Sequence, residues 1–124
     1  ASVVGEVVPC NEFYDYEAKY LTGDASKIII PADFPAHVTE KIREYSVRAF
    51  KALDCSGLAR VDFFVDKVTQ EVYINEVNTM PGFTQISMYS KLWAASGVPY
   101  AELIDRLISL ALERYNDSKR DYEK

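Results

Sequence analysis

At 124 residues the chain is one domain's worth of sequence, and 48% hydrophobic with 27% charged residues is an ordinary soluble globular composition. A formal net charge of -5 without any basic stripe excludes a nucleic-acid partner. Nothing in these residues resembles a signal peptide or a membrane span. Cys10 and Cys55 have no metal or redox spacing, which points to a reducing, cytosolic setting.

In chain order, Ser2 to Val8 predicts a first strand. Pro9 to Asp24 follows as a Tyr-rich loop without apolar periodicity, a length that belongs either to a functional lid or to a disordered segment. Lys27 to Ile30 is a short strand stopped by Pro31. Pro35 suits the first turn of a helix, and Val38, Ile42, Tyr45, Ala49 and Leu53 recur at spacings of three and four as one apolar stripe. His37, among polar residues at that helix start, reads as a surface residue. Gly57 to Val65 and Glu71 to Asn78 are β-branched and aromatic, and Asp66 to Gln70 between them reads as a hairpin turn. Ser87 to Ser96 predicts a surface helix, containing Ser90, stopped by Gly97. Pro99 opens a last helix whose Leu103, Ile104, Leu107, Ile108, Ala111, Leu112 and Tyr115 form a regular face expected to be buried. Asn116 to Lys124 is a mostly charged tail expected to fray. The whole is an α+β pattern, without repeats or low-complexity tracts.

The hairpin carries the chemistry. Side chains two apart on a strand share a face, which sets Arg60 with Asp62, and Glu76 with Asn78. A turn centred on Thr69 places Asp62 opposite Glu76, Arg60 opposite Asn78 and Phe64 opposite Ile74. The opposite face, with Val61, Phe63, Val65, Tyr73 and Val77, reads as core. Two carboxylates and an amide oxygen without His or Cys suit Mg²⁺ or Mn²⁺, and an adjacent arginine suits phosphate. The apolar pair Phe64 and Ile74 suits a nucleotide base. A solvated hairpin face with ordinary cross-strand charge pairs would have the same composition.

Beyond the hairpin, Pro81-Gly82 is a tight turn whose glycine allows close backbone approach, and its N–H could serve as an oxyanion donor. Ser87 opens a helix as a cap, and a helix start is also an anion site. Either residue could equally be structural.

Taken together, Gly57-Leu58-Ala59-Arg60-Val61-Asp62, then Asn75-Glu76-Val77-Asn78-Thr79-Met80-Pro81-Gly82-Phe83-Thr84, then Ser87-Met88-Tyr89, resemble the C-terminal part of the D-alanine–D-alanine ligases. Asn11 to Tyr20 also resembles the mobile loop that these ATP-grasp enzymes close over their site. The likeness runs from about Ser2 to about Arg114. It implies that residues 1–115 are the C-terminal portion of an ATP-grasp domain, a mostly antiparallel sheet with flanking helices. Within it, 9–24 would be the mobile loop and 56–78 the metal-binding hairpin, with 116–124 a polar tail.

By the same resemblance, Asp62, Glu76 and Asn78 correspond to the ligands of two Mg²⁺ or Mn²⁺ ions, with Glu76 bridging. Arg60 corresponds to the arginine that stabilises the transferred phosphoryl group, and Gly82 to the backbone oxyanion donor. Ser87 and the Met88 N–H correspond to the site for the second D-alanine's carboxylate. Lys19 corresponds to the loop lysine that reaches the phosphates of ATP, the co-substrate. Tyr20 corresponds to the loop tyrosine of dipeptide-forming members. Ser90 departs from the family pattern, which commonly has proline there.

The activity implied is ATP-dependent joining of two D-alanines through an acyl phosphate, for peptidoglycan, in a cytoplasmic homodimer with no nucleic-acid or membrane partner. The family's ligases are much longer, so the N-terminal domain and the first half of the ATP-grasp domain are expected as further parts of the same enzyme. Two other readings stand beside it. One is a sibling ligase that takes D-serine or D-lactate as acceptor, against which Lys19-Tyr20 leans; the other is a non-catalytic fragment.

Overall fold

The computed structural model describes residues 1–9 and 26–122. The loop expected at Pro9–Asp24, with Lys19 and Tyr20, lies almost wholly outside the described residues. Strands β1 (Glu6–Pro9) and β2 (Ser26–Ile29) pair antiparallel, with Val7 opposite Ile28. β1 is shorter and later than the expected Ser2–Val8. Its place before Glu6 is taken by a chain that hydrogen-bonds elsewhere: Val3 N–H donates to Ser96 Oγ at 2.8 Å, and Val4 C=O accepts from Ala32 N–H at 2.8 Å. Gly5 is needed for this approach, since a Cβ there would lie 2.8 Å from both Leu92 Cδ2 and Met88 Cε.

Helix α1 (Ala36–Ala52) begins after Pro35, as the fixed proline φ favours. Its stripe buries Val38 and Ile42 against Val72, with Phe63 and Val65 packed around them. The helix ends in a left-handed residue, Asp54 at φ 49°, with Asp54 N–H donating to Lys51 C=O and Cys55 N–H to Phe50 C=O. That pair of bonds satisfies the last carbonyls in the manner usually left to glycine.

Strands β3 (Arg60–Val65) and β4 (Val72–Asn78) form the second antiparallel pair among the described residues. Helices α2 (Met88–Ala95) and α3 (Tyr100–Tyr122) follow. Gly97 at φ 86° closes α2, and Val98 N–H reaches back to Trp93 C=O at 2.9 Å. Val98 then joins Tyr89 and Leu103 in a second buried cluster, flanked by Leu58, Phe83, Trp93 and Leu107.

Three expectations for this half of the chain are corrected. The apolar face of α3 is covered only in its first two turns: Leu103 is buried, whereas Ile108, Leu112 and Tyr115 are each more than half exposed. Periodicity identifies the apolar stripe but cannot say whether a neighbour reaches it, and among the described residues none covers this part. The helix also continues to Tyr122, past the expected fraying at Asn116.

Ser90 is the other correction. Although its helix reads as a surface one, Ser90 is 2% exposed, and among the described residues its Oγ has no hydrogen-bond partner. A buried hydroxyl without a partner costs about 1–3 kcal/mol. Ser90→Ala removes that cost and leaves only a very small void, so an equal or higher Tm is expected in differential scanning calorimetry. A clear fall in Tm would mean that the hydroxyl has a partner after all.

Candidate functional site

The register of the β3–β4 hairpin decides what can act together. Arg60 faces Asn78 and Asp62 faces Glu76, as the turn geometry predicts. Between Asp62 and Phe63 the register shifts by one, leaving Asn75 as an extra residue on β4. Beyond this bulge Phe63 faces Ile74, Phe64 faces Tyr73 and Val65 faces Val72.

The expected pairing of Phe64 with Ile74 is therefore corrected. Ile74 lies across from Phe63, on the strand face that Val72 buries against α1. Phe64, 64% exposed, shares its end of the hairpin with Tyr73, which was expected in the core and is 54% exposed. A one-residue slip exchanges the two faces of a strand, so the bulge takes Ile74 from the polar patch and gives it Tyr73. The Tyr73 hydroxyl donates to the Glu71 carboxylate, whose acceptance of that bond holds the phenol pKa up.

At the other end of the hairpin the charges converge. Arg60 makes a bidentate bond to Asp62, Nε to Oδ1 at 2.8 Å and Nη2 to Oδ2 at 2.9 Å. Arg60 Nη2 also lies 3.7 Å from Glu76 Oε1. Asn78 Oδ1 accepts from Met80 N–H at 3.1 Å, which fixes the amide where β4 leaves the sheet. Two carboxylates and one amide thus share one face of the hairpin. No group of three or more His, Cys, Asp and Glu that could hold a metal ion exists among the described residues. The set is all oxygen, which fits a hard divalent ion that keeps several waters or phosphate oxygens.

The Pro81-Gly82 turn and the start of α2 close in on each other. A Cβ on Gly82 would lie 3.3 Å from Ser87 Oγ. Ser87 is the N-cap residue of α2 but makes no side-chain bond into the helix. Its Oγ instead accepts from Thr84 N–H at 3.0 Å and lies 2.8 Å from Thr84 Oγ1. Thr84 is a partner that residue-by-residue reading passed over; its hydroxyl three positions before a helix-opening serine was the available signal. With the Thr84 hydroxyl as donor, the Ser87 hydroxyl proton is left available at the start of α2, a position where a helix favours an anion.

This patch is an open face and not a cavity. A groove of about 430 Å³ between the 56–58 loop and α3 is lined by Leu58, Leu107, Ala111 and Tyr115, and none of the patch residues borders it. An arginine bonded to one of two facing carboxylates thus lies on the strand that leads into the loop carrying Gly82 and Ser87.

Comparison with known proteins gives that arrangement its family. The chain belongs to the family described as D-ala D-ala ligase C-terminus, whose model matches residues 1–109. It is 71% identical over 123 residues to a D-alanine--D-alanine ligase of Ruminiclostridium cellulolyticum, covering 98% of this chain and 33% of that relative. The chain therefore spans about a third of the length of the curated relatives it matches. Among solved structures, one of a D-alanine--D-alanine ligase from Bacillus anthracis complexed with ATP superposes with a TM-score of 0.76 at 33% identity. That match covers 94% of this chain and 37% of the other. The VanG D-Ala:D-Ser ligase from Enterococcus faecalis superposes with a TM-score of 0.75 at 40% identity, covering 88% of this chain and 31% of that one. No helix among the described residues is long and apolar enough to cross a membrane.

The turn that sets the register is itself titratable. Asp66 Oδ1 accepts from Thr69 N–H at 2.7 Å and Val68 N–H at 2.8 Å. Those backbone donors, Thr69 first, hold its carboxyl below the usual carboxylate value. A depressed native pKa gives stability that is present above the unfolded value and lost as the pH falls through the native one. Amide protection factors at Val68 and Thr69, taken relative to intrinsic exchange at each pH, should accordingly fall below about pH 4, the ordinary carboxylate range. Asp66→Asn should abolish that acid step. An unchanged step in the variant would place the titrating group elsewhere.

Proposed function

We propose that this chain is the C-terminal third of an ATP-dependent ligase that joins two D-alanines into D-alanyl-D-alanine for peptidoglycan. The observation that carries this reading is the alignment of Arg60, Asp62, Glu76 and Asn78 on one hairpin face of a chain in this family. The intact enzyme would also contain the N-terminal and central portions that complete the cleft, and would work in the cytoplasm as a homodimer. Taken alone, the chain offers one wall of that cleft, which argues against activity in isolation.

In the proposed reaction, ATP phosphorylates the carboxylate of the first D-alanine, and the amine of the second attacks the acyl phosphate, releasing phosphate. Asp62, Glu76 and Asn78 would hold Mg²⁺ or Mn²⁺, which when bound supplies charge neutralisation at the phosphates. Arg60 would meet charge that develops on the transferred phosphoryl group. The Gly82 N–H would donate to the oxyanion, and Ser87 with Met88 N–H would bind the second substrate's carboxylate. Lys19 and Tyr20 are assigned to the phosphates and to the second-substrate site through the resemblance alone. Phe64 is assigned to the nucleotide base together with Tyr73, while Ile74 loses the geometric reason for sharing that role. The D-Ser ligase neighbour supports a second reading, in which the acceptor is D-serine; D-lactate would be a third acceptor to test. ADP release with D-alanine, D-serine and D-lactate distinguishes these.

The cation site yields one expectation. In the intact enzyme Glu76→Gln should abolish Mg²⁺-dependent turnover. Asp66→Asn, at the far end of the hairpin, should retain most of it. Equal losses at the two positions in an ADP-release assay would show that the patch is not the metal site.

Chemistry and positioning should also separate. Arg60→Ala should lower kcat by on the order of a hundredfold or more, as loss of other transition-state donors does. Arg60→Lys should rescue it only in part, since an ammonium lacks the planar fork. Ser87→Ala should mainly raise the KM for the second D-alanine, which is the mark of lost ground-state binding. An Arg60→Ala enzyme with normal kcat and a raised KM would remove Arg60 from the chemical step.

A further inference from the structure

Thr84 grips Ser87 through its carbonyl, its N–H and its hydroxyl. The Thr84 C=O accepts from Ser87 N–H at 3.1 Å, its N–H donates to Ser87 Oγ at 3.0 Å, and its Oγ1 lies 2.8 Å from the same oxygen. A serine at the start of a helix ordinarily turns its hydroxyl inward, to accept from a backbone N–H of the first turn. Ser87 has the extended backbone of a cap, φ -67° and ψ 149°, yet makes no such bond. Its hydroxyl is drawn back toward the loop instead. The loop is fixed without the Thr84 hydroxyl: the Phe83 ring lies 5.8 Å from that of Tyr89 and 5.5 Å from that of Tyr100, and Phe83 C=O accepts from Tyr100 OH at 3.4 Å. Thr84 is exposed, so its bond to Ser87 is not there to satisfy a buried group.

The direction of the bond between the two hydroxyls decides what Ser87 can offer. Ser87 Oγ already accepts from Thr84 N–H. If Ser87 also donates to Thr84 Oγ1, its one proton is spent and an arriving carboxylate meets lone pairs. If Thr84 donates, both lone pairs of Ser87 Oγ are occupied and its proton is left to point outward. A carboxylate selects the second arrangement, in which the Ser87 hydroxyl accepts while it donates and is the stronger donor for it. We propose that Thr84 is a positioning residue for the second substrate: it keeps the Ser87 hydroxyl out of the helix cap and, by donating to it, turns the Ser87 proton onto the substrate's carboxylate. This rests on the reading of Ser87 as the holder of that carboxylate and names the residue that prepares it.

The test is ADP release by the intact ligase titrated with D-alanine, with kcat and the second-site KM read separately across Thr84 and Ser87 variants. Thr84→Val keeps the shape and removes the hydroxyl. It should raise the second-site KM by roughly two- to tenfold, the range of one neutral hydrogen bond, with kcat little changed. Thr84→Ser keeps the hydroxyl and should stay near the unsubstituted value. Ser87→Ala should raise the same KM by about tenfold or more, as loss of a bond to a charged group does. Because Thr84 acts through Ser87, adding Thr84→Val to Ser87→Ala should raise KM no further. Thr84→Ala is measured alongside Thr84→Val, so that if one fails to fold, as its Tm would reveal, the other reports.

A folded Thr84→Val or Thr84→Ala enzyme with an unchanged second-site KM makes the contact a turn fastener and overturns the proposal. So does a double variant in which the two effects multiply, since Thr84 then acts independently of Ser87. Thr84→Ser as impaired as Thr84→Val overturns it too, because the methyl and not the hydroxyl then matters. The reading of Ser87 fails by a different pattern. Ser87→Ala without effect on the second-site KM removes the carboxylate from this hydroxyl, and the role of Thr84 with it; a raised KM in Ser87→Ala beside a normal one in the Thr84 variants leaves Ser87 in place and removes only Thr84.

Discussion

The register of a single hairpin governs both the stability and the proposed chemistry of this chain. Six facing pairs connect β3 and β4, and one shift between Asp62 and Phe63 divides them into two zones with opposite duties. On the turn side of the shift, Val65 opposite Val72 and Phe63 opposite Ile74 present a face that packs on α1 through Val72, Val38 and Ile42. On the far side, Arg60, Asp62, Glu76 and Asn78 gather at the edge from which the Pro81-Gly82 loop departs. Without the extra residue at Asn75, Ile74 would share a face with the charges and Tyr73 would turn toward α1. The bulge lets one short ribbon bury an apolar face at one end and hold a charged constellation at the other.

The turn is what makes that register unambiguous. Asp66 accepts two backbone N–H groups of the loop, and Asp66 N–H donates to Glu71 C=O at 2.9 Å where the strands begin. Gln70, at φ 58°, takes the left-handed position that usually falls to glycine or asparagine. A ribbon of two strands is marginal alone. Here it has a clamped turn, a helix across one face, and the loop after β4 fastened by Met80 N–H on Asn78.

Much of this was legible in the residues because each signal was local. Pro35 and the three-and-four spacing of Val38, Ile42 and Tyr45 located α1, and Ser87 with Gly97 bracketed α2, since caps and stripes act within a few residues. The facing of Asp62 with Glu76 and Arg60 with Asn78 followed from the turn centre. What failed was non-local. A bulge changes parity without a sequence mark when the extra residue is an ordinary Asn, and so Phe64 was given Ile74 instead of Tyr73. The burial of Ser90 depends on where α2 docks, and the open face of Ile108 and Leu112 depends on which neighbour is near; periodicity encodes neither. Ser87 was legible as a helix opener, yet its bond to Thr84 needed the loop's path.

The two readings of the charged face, metal-and-phosphate site or ordinary salt bridge, are not alternatives in this geometry. A bidentate arginine–carboxylate pair is the best-shaped form of a salt bridge. At partial exposure it still contributes little to stability, because solvent screens the attraction and the side chains lose entropy. Breaking it therefore costs little. Asp62 and Glu76 stand side by side at a position where two carboxylates alone would repel, and Arg60 offsets that repulsion. The salt bridge thus holds the two carboxylates side by side at small cost, and under the proposed function the same weakness that makes it a poor source of stability would make it exchangeable. A pair buried deeply enough to stabilise the fold would resist that exchange, so a half-open hairpin edge, with its core carried separately by Val72 and α1, suits the task better than a site in the interior.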